Sequence, residues 1–394
     1  MNLHDYILEL FPKTIRYKTA KLGLIKPPNP ITLTFSVTAM CQSRCKTCHI
    51  GSRYHENPEI AKNDLSPGEI EKAFQSLGHI YFFNISGGEP FLRRDLADII
   101  ELACKYLTPA IVHIPTNALM PERIERNTRE ILAIMDGQLP DAPLTIKPSI
   151  DGVGELHDEI RGVKGNFKRL ERTIELLLAL QKENGRLHVE LGTVVSNFNI
   201  DHLDEIEDYV HSIGVESYRN EIAEQRTEFF NIGDPITPSA EVYERLMERF
   251  AEKIRENIGS KRKLARTTEA IRLVYYDLAV QILREQTQVV PCYAGISNIH
   301  LNYDGEVWPC CVLGYDKPMG NLRDSDYDFQ KILNSEQARE VRKYIKNRNC
   351  ACPLANQWYS NILCSFGELA KVLRNMFYTR PIVKIQEKAY EKYP

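Results

Sequence analysis

Residues 41–48 read Cys41-Gln42-Ser43-Arg44-Cys45-Lys46-Thr47-Cys48, a C-x3-C-x2-C spacing. Three thiolates on one short loop can hold three irons of a [4Fe–4S] cluster. A cluster used only for electron transfer takes a fourth cysteine. No nearby residue supplies it, so one iron is left to bind a substrate or cofactor. Two rival readings use the same residues. Cys45 to His49 matches C-x-x-C-H, the haem-attachment string. A Cys3His zinc site with His49 is the other, although adjacent Cys48 and His49 reach one tetrahedral ion with difficulty. Six more cysteines lie between residues 291 and 365: Cys292, Cys310, Cys311, Cys350, Cys352 and Cys364. Turn signals such as Asp304-Gly305 and weak periodicity suggest a small metal-stapled unit there. Cys104 shares a helix face with Ile100 and reads as a small buried hydrophobe.

The loop at residue 41 follows an apolar, β-rich run at 31–37. Similar runs occur at 80–85, 110–114, 144–150, 187–195 and 215–218. Helical periods lie between most of them. One opens at Ser66-Pro67-Gly68-Glu69, a capping box with proline at the first helical position, and continues with Ile70, Phe74 and Leu77 on one face. Others run through Phe167, Leu170, Ile174, Leu177 and Leu178, and through Leu203, Ile206, Val210 and Ile213. Six strands alternating with helices predict an α/β chain with a parallel sheet. The expected fold is a partial (β/α)6 TIM-type barrel with a small cysteine-rich C-terminal domain. Active residues then belong at the C-terminal ends of the strands. The expected organisation is an amphipathic helical segment at 1–30, the partial barrel at 31–235, a helical bridge at 236–290, the cysteine-rich domain at 291–365 and a basic amphipathic tail at 366–394.

The 394 residues carry 50 basic and 53 acidic side chains, a net charge of -3. That balance gives no reason to expect a nucleic acid partner. No apolar stretch resembles a signal peptide or a membrane span. The ten cysteines therefore point to a reducing cytoplasm, where metal binding is favoured over disulfides. Charge is uneven, however. Residues 1–28 hold five basic and two acidic side chains, and 366–394 hold six and three. Both ends read as amphipathic helices, with Ile7, Leu8, Leu10 and Phe11 at one and Leu369, Val372, Leu373, Met376 and Phe377 at the other. Such ends either pack on the domain and solvate their lysines, or rest on a membrane surface at its cytoplasmic face.

The cysteine spacing, placed after strand one of a six-strand alternating domain, resembles the radical S-adenosylmethionine (SAM) superfamily. In that family the open iron chelates the amino and carboxylate groups of SAM. Reduction cleaves SAM to methionine and a 5′-deoxyadenosyl radical, which abstracts hydrogen from the substrate. Further motifs match. Ser86-Gly87-Gly88-Glu89-Pro90 is similar to the family's GGE motif, which implies that Gly87, Gly88 and Glu89 contact the SAM ammonium group. Thr116-Asn117 resembles its Thr-Asn-Gly string, with Ala118 in place of glycine. Ser149-Ile150-Asp151-Gly152 and His157 to Gly162 resemble the subgroup that carries an auxiliary-cluster domain. The likeness implies Ser149 and Asp151 near the SAM ribose and Arg161 on its carboxylate. Thr47 departs from the family, which often has an aromatic there. Ser196 and Asn197 after strand five, and Arg219, Asn220, Glu221 and Arg226 after strand six, are candidate substrate contacts.

Cys292 and Cys310, with Gly305 between them, resemble the opening of the SPASM and twitch extensions of that family. A full SPASM pattern needs seven cysteines, and this region has six with a C-x-C. One auxiliary [4Fe–4S] cluster on Cys292, Cys310, Cys350 and Cys352 is expected, with Cys364 as the alternative ligand. Zinc in this domain is the structural alternative. Cys311 is expected to point away, because neighbours in a strand face opposite sides. The expected function is reductive SAM cleavage followed by hydrogen abstraction from a small-molecule or envelope, lipid-linked metabolite. The reductant would be flavodoxin or ferredoxin. Maturation of a ribosomal peptide or protein side chain is the alternative, although thirty residues before strand one leave no room for a leader-binding module. A non-catalytic metal-binding scaffold is the alternative of another class.

Overall fold

The computed structural model describes residues 10–215, 217–260 and 263–377. Strands β1 (Thr32–Ser36), β2 (Phe82–Ser86), β3 (Ile111–Thr116), β4 (Leu144–Pro148), β5 (Leu187–Val195) and β6 (Ser217–Ile222) pair in parallel with their sequence neighbours. The chain before the second cysteine region also forms helices α1 (Phe11–Leu22), α2 (Ile50–Glu56), α3 (Pro67–Leu77), α4 (Leu96–Tyr106), α5 (Pro121–Gln138), α6 (Glu155–Arg161), α7 (Asn166–Glu183) and α8 (Leu203–Ser212). Those between the strands provide the crossovers. The capping box forms: the Ser66 N–H donates to Glu69 Oε2 at 2.8 Å. On one face of the sheet Leu33, Phe35, Phe83, Ile85, Val112, Ile114 and Ile146 are fully buried under the helices. The Phe74 ring of α3 meets Phe35 and Phe83 edge-on, with centroids 6.1 and 5.7 Å apart.

The other face is polar. It carries Thr34, Ser36, Asn84, His113, Lys147, Glu190, Arg219 and Glu221, which the strand registers place on one side. Parallel strands buried on both faces are near-continuously apolar. Here the alternation gives the sheet one apolar and one polar face instead. It also corrects the sixth strand, read from sequence as ending at residue 218. The strand runs to Ile222, so Arg219, Asn220 and Glu221 lie within it and not after it. Charged residues are tolerated there because Arg219 pairs with Glu190 and Glu221 with Lys147.

Helices α9 (Ala240–Asn257) and α10 (Lys263–Glu285) follow, and Tyr243, Met247, Leu273 and Val274 build a second core there. The chain then returns to the sheet. Strand β7 (Asn298–Leu301) pairs in parallel with β1, His300 opposite Thr34, and β8 (Glu306–Trp308) and β9 (Gly320–Asn321) continue antiparallel. The result is one open nine-stranded sheet in the order 6-5-4-3-2-1-7-8-9. The cysteine-rich region extends the barrel's sheet. Its hairpin turns at Gly305, whose φ of 89° and 2.9 Å approach to Asn321 Oδ1 leave no room for a Cβ. Helices α11 (Phe329–Leu333), α12 (Glu336–Lys346), α13 (Ala355–Leu363) and α14 (Phe366–Phe377) complete the described chain.

The two ends meet. Leu10, Tyr17 and Ala20 pack in one apolar cluster with Tyr293 and Cys364, and Lys18 Nζ lies 3.3 Å above the Phe366 ring. Val372 is buried, whereas Phe11, Ile15, Leu22, Leu373 and Phe377 are exposed. Ile7, Leu8 and residues 378–394 of the amphipathic ends lie outside the described residues. Among the described residues no helix is long and apolar enough to cross a membrane.

Candidate active site

The loop bearing Cys41, Cys45 and Cys48 leaves the C-terminal end of β1 and is gripped from three sides. The Gly88 and Glu89 amides donate to the carbonyls of Thr38 and Met40 at 2.9 and 2.7 Å. The Arg44 and Lys46 amides donate to the carbonyls of Arg161 and Ile160 at the end of α6, at 3.1 and 2.9 Å. On the third side Asn231 Nδ2 donates to the Thr47 carbonyl at 2.8 Å, and the His49 amide donates to the Phe229 carbonyl at 2.8 Å. Three glycines permit this closeness. A Cβ on Gly51, Gly88 or Gly162 would stand 1.8, 2.1 or 2.2 Å from the carbonyl oxygen of Ser43, Met40 or Arg44. Only Gly88 was singled out from sequence. Gly162 figured in the sequence only as the end of the string from His157, with no role given it, and Gly51 carried no signal, because the backbone they admit comes from elsewhere in the chain.

Burial pushes the Cys41 thiol up to about 12, with neighbouring Cys45 adding to the effect. Cys45 and Cys48 are raised by burial as well. Three buried thiols this close ionise when a metal takes the place of their protons. His49 does not complete a zinc set with them: its Nε2 lies 2.6 Å from Asp234 Oδ2. A donor set of three thiols in a cradle free of Cβ atoms fits an iron–sulfur cluster with one open iron.

Polar residues from the other strand ends border the loop. Glu89 is 1% exposed and accepts from the Phe91 amide at 3.1 Å, Thr116 Oγ1 at 2.9 Å and the Asn117 amide at 2.7 Å. Its carboxyl is nonetheless pushed up by burial to about 7. Asn117 Nδ2 reaches Gln42 Oε1, Ser43 Oγ and Cys41 Sγ at 3.2, 3.1 and 4.0 Å. Ala118 stands where the family has glycine, at a φ of 62° that glycine adopts more easily. Asp151 and Arg161 pair with each other, Nη1 to Oδ2 at 3.0 Å, and Arg161 Nε is buried without a partner. That leaves a donor for a ligand carboxylate. Ser149 follows β4, half-buried, its amide donating to the Thr116 carbonyl at 3.0 Å. Ser196 turns to Asn199 Oδ1 at 3.3 Å, and Asn197 is fastened to the Pro235 carbonyl at 2.8 Å, so both brace the rim.

The second cysteine group lies around β7 and β8. The thiols of Cys292, Cys310, Cys350 and Cys352 act on one another. Burial raises Cys310, with Cys292 and Cys350 adding; Cys352 is raised by burial, with Glu224, Cys310 and Cys292 adding. Gln288, unnoticed in the sequence, clamps two of them. Its Nε2 donates to the Cys350 carbonyl and Sγ at 3.0 and 3.5 Å, and its Oε1 accepts from the Cys292 amide at 3.4 Å. Trp358 Nε1 donates to the Cys352 carbonyl at 2.5 Å, and the Tyr275 hydroxyl to the Pro353 carbonyl at 2.9 Å. Cys364 sits instead in the apolar cluster with Leu10 and Tyr17, and its charged neighbours are Lys18 and Lys21. Cys311 faces Arg226, Sγ to Nη1 at 3.6 Å. Cys104 is buried under the sheet.

The polar face of the sheet carries paired charges. Arg219 Nε donates to Glu190 Oε2 at 2.6 Å, and Lys147 Nζ lies 3.3 Å from Glu221 Oε1. Burial acts to raise Glu190, yet Arg219 and Lys147 hold it down to about 2. Glu224 is pushed up by burial to about 7 against the pull of Arg226. His113 is driven down to about 3 by burial, with Lys147 adding. His113, Lys147, Glu190, Glu224, Glu228 and His300 were missed from sequence. For His113, Lys147, Glu190 and His300 the signal was the polar residue at every second position of strands otherwise rich in Val, Ile and Phe; Glu224 and Glu228 lie beyond β6 and carried no such signal.

Comparison with known proteins agrees with this architecture. Residues 35–210 match the Radical SAM superfamily, and residues 292–353 match the SPASM iron–sulfur cluster-binding domain. The antilisterial bacteriocin subtilosin biosynthesis protein AlbA of Bacillus subtilis is 24% identical over 84% of this chain. The chain spans only 65% of the length of AlbA. An AdoMet-dependent heme synthase of Oleidesulfovibrio alaskensis is 26% identical over 79% of this chain and 76% of its own length. Among solved structures, Streptococcus suis SuiB bound to precursor peptide SuiA shares the fold with a TM-score of 0.56 at 15% identity, covering 87% of this chain and 72% of that one. With a SAM-cleaving domain followed by a SPASM domain, the chain belongs to the radical SAM superfamily and is an enzyme that uses SAM, a [4Fe–4S] cluster and an auxiliary iron–sulfur cluster.

Proposed function

We propose that Cys41, Cys45 and Cys48 hold the SAM-cleaving cluster and that Cys292, Cys310, Cys350 and Cys352 hold the auxiliary one. When bound, the first cluster supplies the electron that cleaves SAM to methionine and a 5′-deoxyadenosyl radical. The protein's part is binding and orientation. Backbone around Gly87 and Gly88, with Glu89, receives the SAM ammonium group. Arg161 offers its spare donor to the carboxylate, and Ser149, Asp151 and Asn117 border the nucleoside. The substrate lies over the polar face of the sheet, and we read it as a small polar metabolite, free or lipid-linked. The observation that carries this reading is the paired charge on that face, the buried Glu190 with Arg219 and the half-buried Lys147 with Glu221. Charges of both signs, already compensated by one another, suit a ligand rich in hydroxyl and ionic groups. They suit an apolar one poorly, since it could not replace their lost hydration. A second reading is favoured by the likeness to AlbA: the substrate is a peptide side chain.

The test is release of 5′-deoxyadenosine by anaerobically reconstituted protein given SAM and a strong reductant. No release, or undiminished release after Cys45→Ala, overturns the catalytic assignment. Adding low-mass cell extract should accelerate release. Acceleration that survives protease treatment of the extract supports a metabolite. Acceleration abolished by protease transfers the assignment to a peptide.

A further inference from the structure

We propose that Glu228, His300 and Cys311 form a site for a single divalent metal ion of the zinc type, beside Ser36 at the end of β1, with one coordination position open to the neighbouring cavity. Three separate parts of the chain converge there: the turn Thr227–Phe229, strand β7 and the segment after β8. One ligand atom from each lies within 4.8 Å of the other two. His300 Nε2 and Glu228 Oε1 are 3.7 Å apart. Metal–ligand bonds of 2.0–2.3 Å place the donors of a tetrahedral zinc about 3.3–3.8 Å apart. The trio therefore needs to close by at most about 1.5 Å.

The donor types fit as well. One thiolate, one imidazole and one carboxylate make a borderline-soft set that suits zinc and rejects magnesium or calcium. His300 is oriented in advance by the Trp308 ring, 4.9 Å between centroids. The Ser36 hydroxyl stands 2.7 Å from His300 Nε2 and 3.3 Å from Glu228 Oε1, in the gap an ion would fill. Its rotation frees the imidazole lone pair and leaves a hydroxyl to steady the carboxylate. Arg226 lies against Cys311 Sγ and 3.5 Å from Glu224 Oε2. That pair cancels in charge. An ion bound there takes the place of the Cys311 proton and sits beside the Glu228 carboxylate. Cys311 is not among the four cysteines assigned to the auxiliary cluster.

The cavity beside Ser36 and Glu228 is also lined by Thr38, Gly87 and Gly88. An oxygen of the substrate bound to the ion would be held next to the loop assigned to SAM. That role rests on the proposed function, which puts the substrate over the polar face of the sheet; the ion site itself does not. The test uses full-length protein with its clusters reconstituted, equilibrated anaerobically with zinc chloride and desalted. Zinc and iron are counted by mass spectrometry. About one zinc per chain is expected with iron unchanged. Glu228→Gln, His300→Gln and Cys311→Ala should each weaken zinc binding at least tenfold, while Cys104→Ala leaves it intact. X-ray absorption at the zinc edge of the unaltered protein should show one sulfur and the rest nitrogen or oxygen. No zinc beyond the iron, binding indifferent to the three substitutions, or all-sulfur ligation would overturn the site. SAM cleavage is measured separately, so failure of the ion site and failure of the catalytic reading are distinguishable.

Discussion

A Cβ at Gly88 or Gly162 would overlap a backbone oxygen of the first cysteine loop, and a backbone oxygen cannot swing aside as a side-chain tip can. Gly88→Ala and Gly162→Ala should therefore displace the loop, at a cost of about 1–3 kcal/mol in overpacking. Iron should fall from about eight to about four per chain, the remainder belonging to the auxiliary group. An unchanged iron count would show that the grip is dispensable. His113 gives a second prediction. Burial holds its folded pKa near 3, below the ordinary 6.5. The stability gained from keeping it neutral is present above pH 6.5 and is lost as pH falls toward 3. Between pH 6.5 and 5 the chain should lose about 2 kcal/mol that a His113→Gln variant does not lose. Urea midpoints across that range measure it. At this scale the cysteines were legible because their spacing is local. Gly51, Gly162 and Gln288 were not, because each acts on a segment far away in sequence.

Strands β5 and β6 show how far an element can be read from its own residues. The sixth run was read as ending at residue 218, short of Arg219 and Glu221. Pairing across β4, β5 and β6 removes the penalty on their charges, and no single strand contains the information. The pairing also predicts its own failure. Arg219→Leu leaves Glu190 buried, 4% exposed, with its principal counter-charge gone. Breaking a buried pair in this way costs about 3–5 kcal/mol. Replacing both partners by leucine should recover most of the loss. Chemical denaturation of the single and double variants checks this. A single variant as stable as the parent would mean that water already reaches the pair. By contrast, α3 was legible in full, since its proline, capping box and apolar face all lie within the twelve residues from Ser66 to Leu77.

For the whole molecule, the sequence foretold two cysteine groups on one α/β chain but left the second group's membership open. Packing supplies a criterion that spacing lacked. Cys364 is buried among Leu10, Tyr17 and Tyr293, whereas Cys352 acts electrostatically on the other thiols of its group. Cys364→Ala should keep about eight irons, and Cys352→Ala should drop toward four. The reverse result would exchange the two residues in the ligand set. The continuous sheet was not legible either. Nothing around residue 298 announces that it pairs with residue 32, because parallel partners share no local turn.

That pairing also dictates the order in which the molecule can be made. β1 is an inner strand, yet its partner β7 begins 266 residues later, with Thr32 opposite Asn298. Until that point leaves the ribosome, one side of the first strand presents bare amides and carbonyls. Such an edge is a template for mispairing. Closing so distant a contact is slow. The nascent enzyme therefore spends most of its synthesis with its first cysteine loop attached to an unfinished sheet, and the last quarter of the chain decides when that sheet is sealed.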